Sequence, residues 1–594
     1  MDEKDEKIEK IISLAGNDHR YQYFTLVVIF FLWVNCNFIS TVIPLIEREP
    51  IVNYTDKYDK FHVNETLTSD ICAELKEIGK DYSVVESFDY SWATEFHIEC
   101  ANFEIGAIGS FAFAGNAAGG FLFSIVSKLL SHKKILIISS FGFCIPIFLC
   151  TLVTSFDYFY VLLVCEIFIG LFGNLLCYSS LVVAQEIVTN RKRSLFNSII
   201  NIGYAFSGII YTILFLVLQD WRKVFYTLIG ATLVVLILIW IFIYDSPRGY
   251  IDDNNYDKVI EILEGIASFN GKLEEFRESI KQDEYQEIVS VIKGEPPINS
   301  SANENAQNIQ INEGNDEENK IESEKEFSKD ISESKIPDLT TSLVSQSKVI
   351  NPEFLDNIKP MPKINVWSLF KYRSIRYKFI FLNILWIGTR ASFNGISISA
   401  KSFPGNFYVN IIIGFLLETA AYTATGFLID IKKLGRRGTL WILYVIIVIT
   451  FFLLAFLDLD TIPNLILNFT ARFCAAGIEV IYYTYSIEIY PTPVRSVAFG
   501  INATFGNAGS IGAPMLLEFL LTWQFLVLFA VVCAMNAGIL VCLPETVGKP
   551  MVESIPELDE EYNKLKENSE HIKTEDEEKA EPIAPDEGGE ETEK

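Results

Sequence analysis

Five ionisable residues fall inside stretches that are otherwise long and apolar enough to cross a bilayer: Glu166, Arg390, Glu418, Arg472 and Glu479. A charge at such depth is costly, so it marks a substrate path, an ion site or a buried ion pair. Glu166 lies about nine residues into its stretch, roughly 14 Å at 1.5 Å per residue and so close to mid-bilayer. Near these charges in the chain stand Trp386, Phe393, Tyr422, Tyr482, Tyr483 and Tyr485. A carboxylate ringed by aromatic faces suits a weakly hydrated organic cation, held by charge and ring quadrupoles together. Arg390 together with Glu418 suits a zwitterion. The plainer readings are that the rings pack helices or form interface belts, and that Glu418 and Glu166 make buried pairs with Arg390. Three acids against two bases lean slightly towards cations. The five histidines, His19, His62, His97, His132 and His571, show no metal-ligand spacing, and no GxxxxGK[ST] loop occurs. A metal centre, a cofactor, an enzyme and ATP-driven pumping therefore have no support.

The elements that must position these groups follow from length and hydropathy. A hydrocarbon core of about 30 Å needs roughly 20 apolar residues in helical form. Stretches near 22–45, 104–127, 135–154, 157–184, 195–218, 223–244, 377–399, 407–429, 439–457, 463–487, 496–519 and 523–543 meet that length. The expected fold is an all-α membrane protein of twelve transmembrane helices in two six-helix halves, 22–244 and 377–543. The chain is 50% hydrophobic and 13% aromatic, yet its formal net charge is −27. That charge gathers in a cytoplasmic linker, 245–376, with a disordered insert at about 282–364, and in an acidic tail, 544–594. Such segments read as solvated, with a protein partner as the alternative use, and no basic aromatic surface points to nucleic acid. Within the linker, Val259, Ile260, Leu263 and Ile266 recur at helical spacing and predict a short amphipathic helix.

The halves are copies. SIVSKLLSHKK at 124–134 and GFLIDIKKLGRR at 426–437 occupy corresponding loops, and Glu186-x6-Arg193 and Glu488-x6-Arg495 follow Lys128 and Asp430 at the same distance. Duplicated helical halves put a substrate path at the interface between repeats. Basic residues gather in alternate short loops, which places those loops and both termini, including 1–21, in the cytoplasm. The 46–103 segment then faces outward. It carries the acceptor sequences at Asn53 and Asn64, candidates for glycosylation, and an outer location would allow Cys72 and Cys100 to pair.

In order along the chain, TEFHIEC, DSPRGY followed by IASFNG, KSFPGNFYVN, EIYPTPVR and LPETVGK resemble the organic ion transporter family of the major facilitator superfamily. The resemblance covers nearly everything except the insert and tails. The SPR and PET pieces are shared with sugar porters, whereas the large first outer loop, the NG and KSFPGN separate the two. The resemblance implies alternating access, a plasma membrane setting by default, and small organic ion substrates. It carries an acidic eighth-helix position onto Glu418 and the sign-determining eleventh-helix position onto Asn507, with Tyr422 where anion carriers have Lys. The expected substrate site is Glu418, Glu166, Arg390, Glu479, Trp386, Tyr422, Tyr483 and Asn507. The expected gates are Asp430 with Arg436 and Arg437, pairing across the halves, Glu186 with Arg193, and Glu488 with Arg495. Lys128, Ser131 and Glu166 depart from the family pattern of Asp, Gly and Arg. The reading is a secondary transporter or facilitator, cation or zwitterion favoured. The alternatives are a non-transporting relative acting as receptor, scaffold or assembly subunit, and, less favoured, a sugar or phosphate porter.

Overall fold

The computed structural model describes residues 14–280 and 368–547, apart from 17–18, 57, 68, 80, 87–90, 128, 189, 246, 248–249, 251–255, 404, 430, 432–433 and 458. The chain falls into two units. One comprises Met1–Ile11 and Arg277–Lys363, of which only 277–280, the end of a helix over Leu273–Ile280, is described. The other, Ile12–Phe276 with Ile364–Lys594, contains every long apolar helix. The expected insert at 282–364 and the tail beyond 547 lie outside the described residues.

The first half holds α1 (Arg20–Ile46), α2 (Asn102–Val126), α3 (His132–Thr151), α4 (Phe159–Glu186), α5 (Asn190–Leu218) and α6 (Trp221–Phe242). The second holds α7 (Arg373–Ile398), α8 (Phe407–Leu428), α9 (Gly435–Phe456), α10 (Thr461–Ile489), α11 (Thr492–Phe519) and α12 (Thr522–Leu540). Among the described residues, ten helices are apolar and long enough to cross a membrane, and the chain is a multi-pass membrane protein. The two long helices outside that ten are α7 and α11. Their apolar character is diluted by Arg373, Arg376, Lys378 and Arg390 in one, and by Asn502, Asn507 and Ser510 in the other. Both pack in the interior against each other, and α11 also lies on α2 of the opposite half.

Backbone polar groups in lipid must be satisfied within helices, so deviations from the helix sit where side chains compensate. At the break in α1, Asn37 Nδ2 donates to the Trp33 carbonyl at 2.9 Å. Asp220 caps α6 by accepting the Arg222 N–H, and Asn406 caps α8 by accepting that of Val409. Helices without a hydrophobic drive towards one another associate through small residues. A Cβ on Gly115 of α2 would overlap the backbone of Ile167 in α4, so that crossing requires glycine. In the linker, a helix over Tyr256–Asn270 buries Val259, Leu263 and Ile266, and Asn270 accepts the Tyr21 N–H at the start of α1.

The 46–103 segment contains what periodicity in the apolar spans does not reveal, a three-stranded antiparallel sheet in the order β2-β1-β3, with β1 Ile51–Thr55, β2 Phe61–Thr66 and β3 Ser83–Glu86. Alternation in IVNYT turns Val52 and Tyr54 into a small core with Leu67, Cys72 and Leu75. Cys72 and Cys100 form a disulfide. Asn53 lies on β1 and Asn64 on β2. Glu95 ties the segment to α6, its carboxylate accepting two guanidinium bonds from Arg222 at 2.7 and 3.1 Å.

Candidate functional site

A cavity lies between the halves. From the first half, α1, α2, α4 and α5 supply Trp33, Asn37, Asn116, Asn174, Tyr178, Asn201 and Tyr204. From the second, α7, α8, α10 and α11 supply Arg390, Asn394, Tyr422, Glu479, Tyr483 and Asn507. Six carboxamides therefore face a space whose lining carries one cation and one anion. The space measures about 70 Å³ for water-sized molecules. At roughly 10–15 Å³ per water that is room for only a few.

Arg390 Nη1 meets Glu479 Oε1 at 2.9 Å, with side-chain exposures of 15% and 9%. The guanidinium also donates to the Tyr483 hydroxyl and lies 5.7 Å from that ring and 6.0 Å from the Trp386 ring. Trp386 is not itself a wall of the cavity. It stands behind Tyr483, ring edge to ring face at 5.1 Å, with its indole N–H donating to Ser486. Arg390 Nε and Glu479 Oε2 find no hydrogen-bond partner among the described residues. The pair thus keeps one donor and one acceptor in reserve, and a ligand with matching polarity can use them.

Glu418 is placed differently from the expectation. Its Oε1 accepts from Arg472 Nε at 2.8 Å, and the two side chains are 0% and 1% exposed. Arg390 pairs with neither Glu418 nor Glu166. Gly414 makes the Arg472 position available, since a Cβ there would come 2.7 Å from the guanidinium carbon, and the guanidinium rests 4.6 Å from the Phe415 ring centre. Neither Glu418 nor Arg472 lines the cavity. Glu166 is fully buried in α4, away from that lining, and its two carboxylate oxygens make no hydrogen bond among the described residues. Sequence reasoning missed Asn116, Asn174, Asn394, Tyr178, Tyr204 and Trp33. The three asparagines were signalled as carboxamides interrupting apolar helices, which is costly unless they face a polar space.

The expected gate residues also sort out differently. Arg436 Nη2 reaches Glu488 Oε1 at 2.9 Å, and Glu545 accepts the backbone N–H groups of Arg436 and Arg437 at 3.1 and 3.0 Å. Arg437 donates to the Leu543 carbonyl. Glu488 and Leu543 belong to the second half, and Glu545 lies just beyond it. The Glu545 carboxylate caps the start of α9, where four exposed N–H groups favour an anion. Arg495 Nε donates to the Tyr490 carbonyl at 3.3 Å, while Glu488 is engaged by Arg436 and by the Thr546 hydroxyl. Asp430, Lys128 and the side chains of Glu186 and Arg193 lie outside the described residues.

Contacts that join the halves occur on the side of the 46–103 segment. Lys401, in a 3-10 turn over Ser399–Ser402 after α7, approaches Glu47 Oε2 at 3.4 Å and Glu518 Oε1 at 2.5 Å. Asn102 donates to the Glu518 carbonyl and Ser110 to that of Ile511. Arg48 lies 4.2 Å above the Phe407 ring and 5.1 Å from that of Tyr408. The cavity is shut on that side by ionic, hydrogen-bonded and cation–π contacts together.

The family model of the Major Facilitator Superfamily matches residues 25–514. A solute carrier family 22 member 15-like protein of Xenopus tropicalis is 23% identical over 498 residues, covering 82% of this chain and 86% of the relative. Organic cation/carnitine transporter 2 of Homo sapiens is 22% identical over 462 residues, covering 76% of this chain and 68% of that one. The xylose transporter of E. coli, in a partially occluded inward-open conformation, superposes with a TM-score of 0.54 at 12% identity, covering 88% of this chain and all of the other, which is a likeness of fold. With two six-helix halves around one central cavity and a family match across both, this chain belongs to the Major Facilitator Superfamily.

Proposed function

We propose that the chain is a secondary transporter that carries small organic cations or zwitterions by alternating access, with Arg390 and Glu479 as the groups that read the substrate's charge. The observation that carries this reading is the cavity between the halves, where one buried ion pair, aromatic faces and carboxamides meet. A positively charged headgroup competes with Arg390 for Glu479 and gains the Tyr483 and Tyr422 faces. A carboxylate on the same molecule takes up the released guanidinium. Relatives named for organic cations and carnitine support the substrate class. Since the cavity admits only a few waters, binding must widen it, which couples occupancy to movement of the halves.

The test is uptake into cells or proteoliposomes from a panel of organic cations, zwitterions and anions. Glu479→Gln is expected to abolish saturable cation uptake per molecule of folded protein at the surface, beyond any loss of expression from stranding Arg390. Absence of uptake of every panel member would sink the proposal. A protein partner for the acidic insert or tail forms a separate arm. Deleting 282–364 leaves flux largely intact in a transporter and abolishes function in a receptor or scaffold. The proposed outward orientation also makes Asn53 and Asn64 glycan acceptors, read as a glycosidase-sensitive mobility shift lost in Asn53→Gln/Asn64→Gln.

A further inference from the structure

Between the central cavity and the 46–103 segment lies a second group of charges that substrate reading does not use. Glu47 and Glu49 follow the end of α1 in the first half, while Glu518 closes α11 and Lys401 follows α7 in the second, with Lys401 between Glu47 and Glu518. Glu47 is 0% exposed, Glu49 4% and Glu518 4%. One ammonium therefore faces three buried carboxylates, and Glu49 Oε1 has no hydrogen-bond partner among the described residues. The surroundings add little positive charge. Gly109 of α2 gives Glu47 a backbone N–H at 3.2 Å, while Glu99, ahead of α2, adds another carboxylate within electrostatic reach of Glu49. His97 lies 3.9 Å from Glu99, with Tyr82 also in its reach, and Glu166 of α4 is within electrostatic reach of Glu47. Arg48 is engaged on the Phe407 and Tyr408 rings. Among the described residues no group of three His, Cys, Asp or Glu side chains has metal-holding geometry. A buried excess of carboxylate without a metal site is relieved by protons.

We propose that this latch is a proton-binding site: Glu47 and Glu49, packed with Glu518 around Lys401, take up a proton as the two halves close over them, and return it to the medium on that side when the halves part. Closure buries the carboxylates and pushes Glu47 up to about 7, with Lys401 opposing the shift, while burial also holds Glu49 well above the ordinary carboxylate range. Burial works against the Lys401 charge, but Glu518, Glu47 and Glu49 keep that ammonium above its usual range, so it stays charged throughout. When the halves separate, Glu47 and Glu49 meet water and regain ordinary values. The sign follows from linkage: a group whose affinity for protons is higher in the closed state stabilises that state at low pH and releases it as pH rises through the closed-state value. For Glu47 alone, a change from about 7 to about 4.3 makes the closed-to-open ratio fall about 30-fold between pH 5.5 and pH 8.

The inference rests on the halves moving as a transporter's do, and its test separates the two. Phe156 and Phe456, 45% and 65% exposed, sit at the ends of opposite halves on the latch side. Spin labels on Phe156→Cys/Phe456→Cys, with exposed Cys542→Ser, report the opening by pulsed EPR of purified full-length protein in nanodiscs between pH 5.5 and 8.5. The open population is expected to grow with pH around a midpoint near 7, equally in sodium and in N-methylglucamine buffers. In Glu47→Gln/Glu49→Gln, where Lys401 keeps its 2.5 Å contact with Glu518, the latch should stay closed across the range. Should that variant not fold, Glu49→Gln alone is expected to move the midpoint to lower pH by removing one of the two proton-accepting carboxylates. A distance distribution that ignores pH yet responds to substrate overturns the proton site and leaves alternating access standing. One that ignores both overturns both. A response to sodium instead of pH, or a wild-type response in the double variant, overturns the proposal.

Discussion

Glu418→Gln separates a structural ion pair from a substrate contact more sharply than any other change. In the structure Glu418 Oε1 and Arg472 Nε are 2.8 Å apart, and the pair is sealed from solvent. At an effective dielectric of about 20 the gross attraction at that distance is about 6 kcal/mol. Desolvation offsets much of it, yet removing one partner strands the other, and such changes cost about 3–5 kcal/mol. The variant should therefore show a clearly lower melting temperature in detergent and poor surface expression, with any loss of uptake following loss of folded protein. A double-mutant cycle completes the argument. Glu418→Gln/Arg472→Met removes both charges, and the combined loss of stability should be smaller than the sum of the two single losses. The refuting result is a Glu418→Gln protein that melts like wild type but no longer binds or carries an organic cation. That outcome would make Glu418 a substrate group and the pair a feature of one conformation only.

Gly414→Ala should destabilise the same region by about 1–3 kcal/mol through overpacking, because the new Cβ would meet the Arg472 guanidinium at 2.7 Å. Thermal melting checks it, and an unchanged melting temperature would mean that the guanidinium has another place to go. Removing the Cys72–Cys100 disulfide, which closes a 28-residue separation, should loosen the outer sheet by about 3–4 kcal/mol on loop-entropy grounds. Protease cleavage confined to 46–103 in Cys72→Ser/Cys100→Ser would report it, whereas resistance equal to wild type would show that the Val52–Leu75 core suffices. Asp56 is held below the ordinary carboxylate range, first by the Lys60 N–H and then by His62 and the Tyr58 N–H. Its depressed value means stability present above the unfolded value and lost as pH falls through the folded one, so the Asp56–Lys60 turn should open only in strong acid. Hydrogen exchange at Tyr58 and Lys60, corrected for intrinsic rates, should rise there in wild type and be raised already at neutral pH in Asp56→Asn.

Much of the fold was legible because the physics of the bilayer is one-dimensional. Whether a segment crosses depends mainly on its own length and hydropathy, so the long apolar stretches and the helical stripe from Val259 to Ile266 could be read without knowing any neighbour. The outer sheet was less legible. IVNYT alternates over only five residues, and its partners at Phe61–Thr66 and Ser83–Glu86 are short and polar. The site was legible as a composition and not as an arrangement. Carboxamides such as Asn116, Asn174 and Asn394 were visible as interruptions, but an isolated polar residue in a helix does not announce which face it occupies. The basic loop Gly426–Arg437 was readable as a marker of duplication, whereas the partners of Arg436 and Arg437 depended on Glu545, which belongs to a segment over 100 residues further on.

Sequence alone determined that this protein is built from two copies of a six-helix membrane unit, that its charges within the membrane number only a few, and that they cluster in the second half. Those properties reside in runs and repeats along the chain. Only tertiary structure decided that Arg390 belongs with Glu479 and Arg472 with Glu418, that the first pair borders the cavity while the second is sealed away, and that Glu47, Lys401 and Glu518 lock one side. Each of these depends on the rotation of one helix against another. A turn of about 100° per residue moves a side chain from cavity to core without altering hydropathy or spacing.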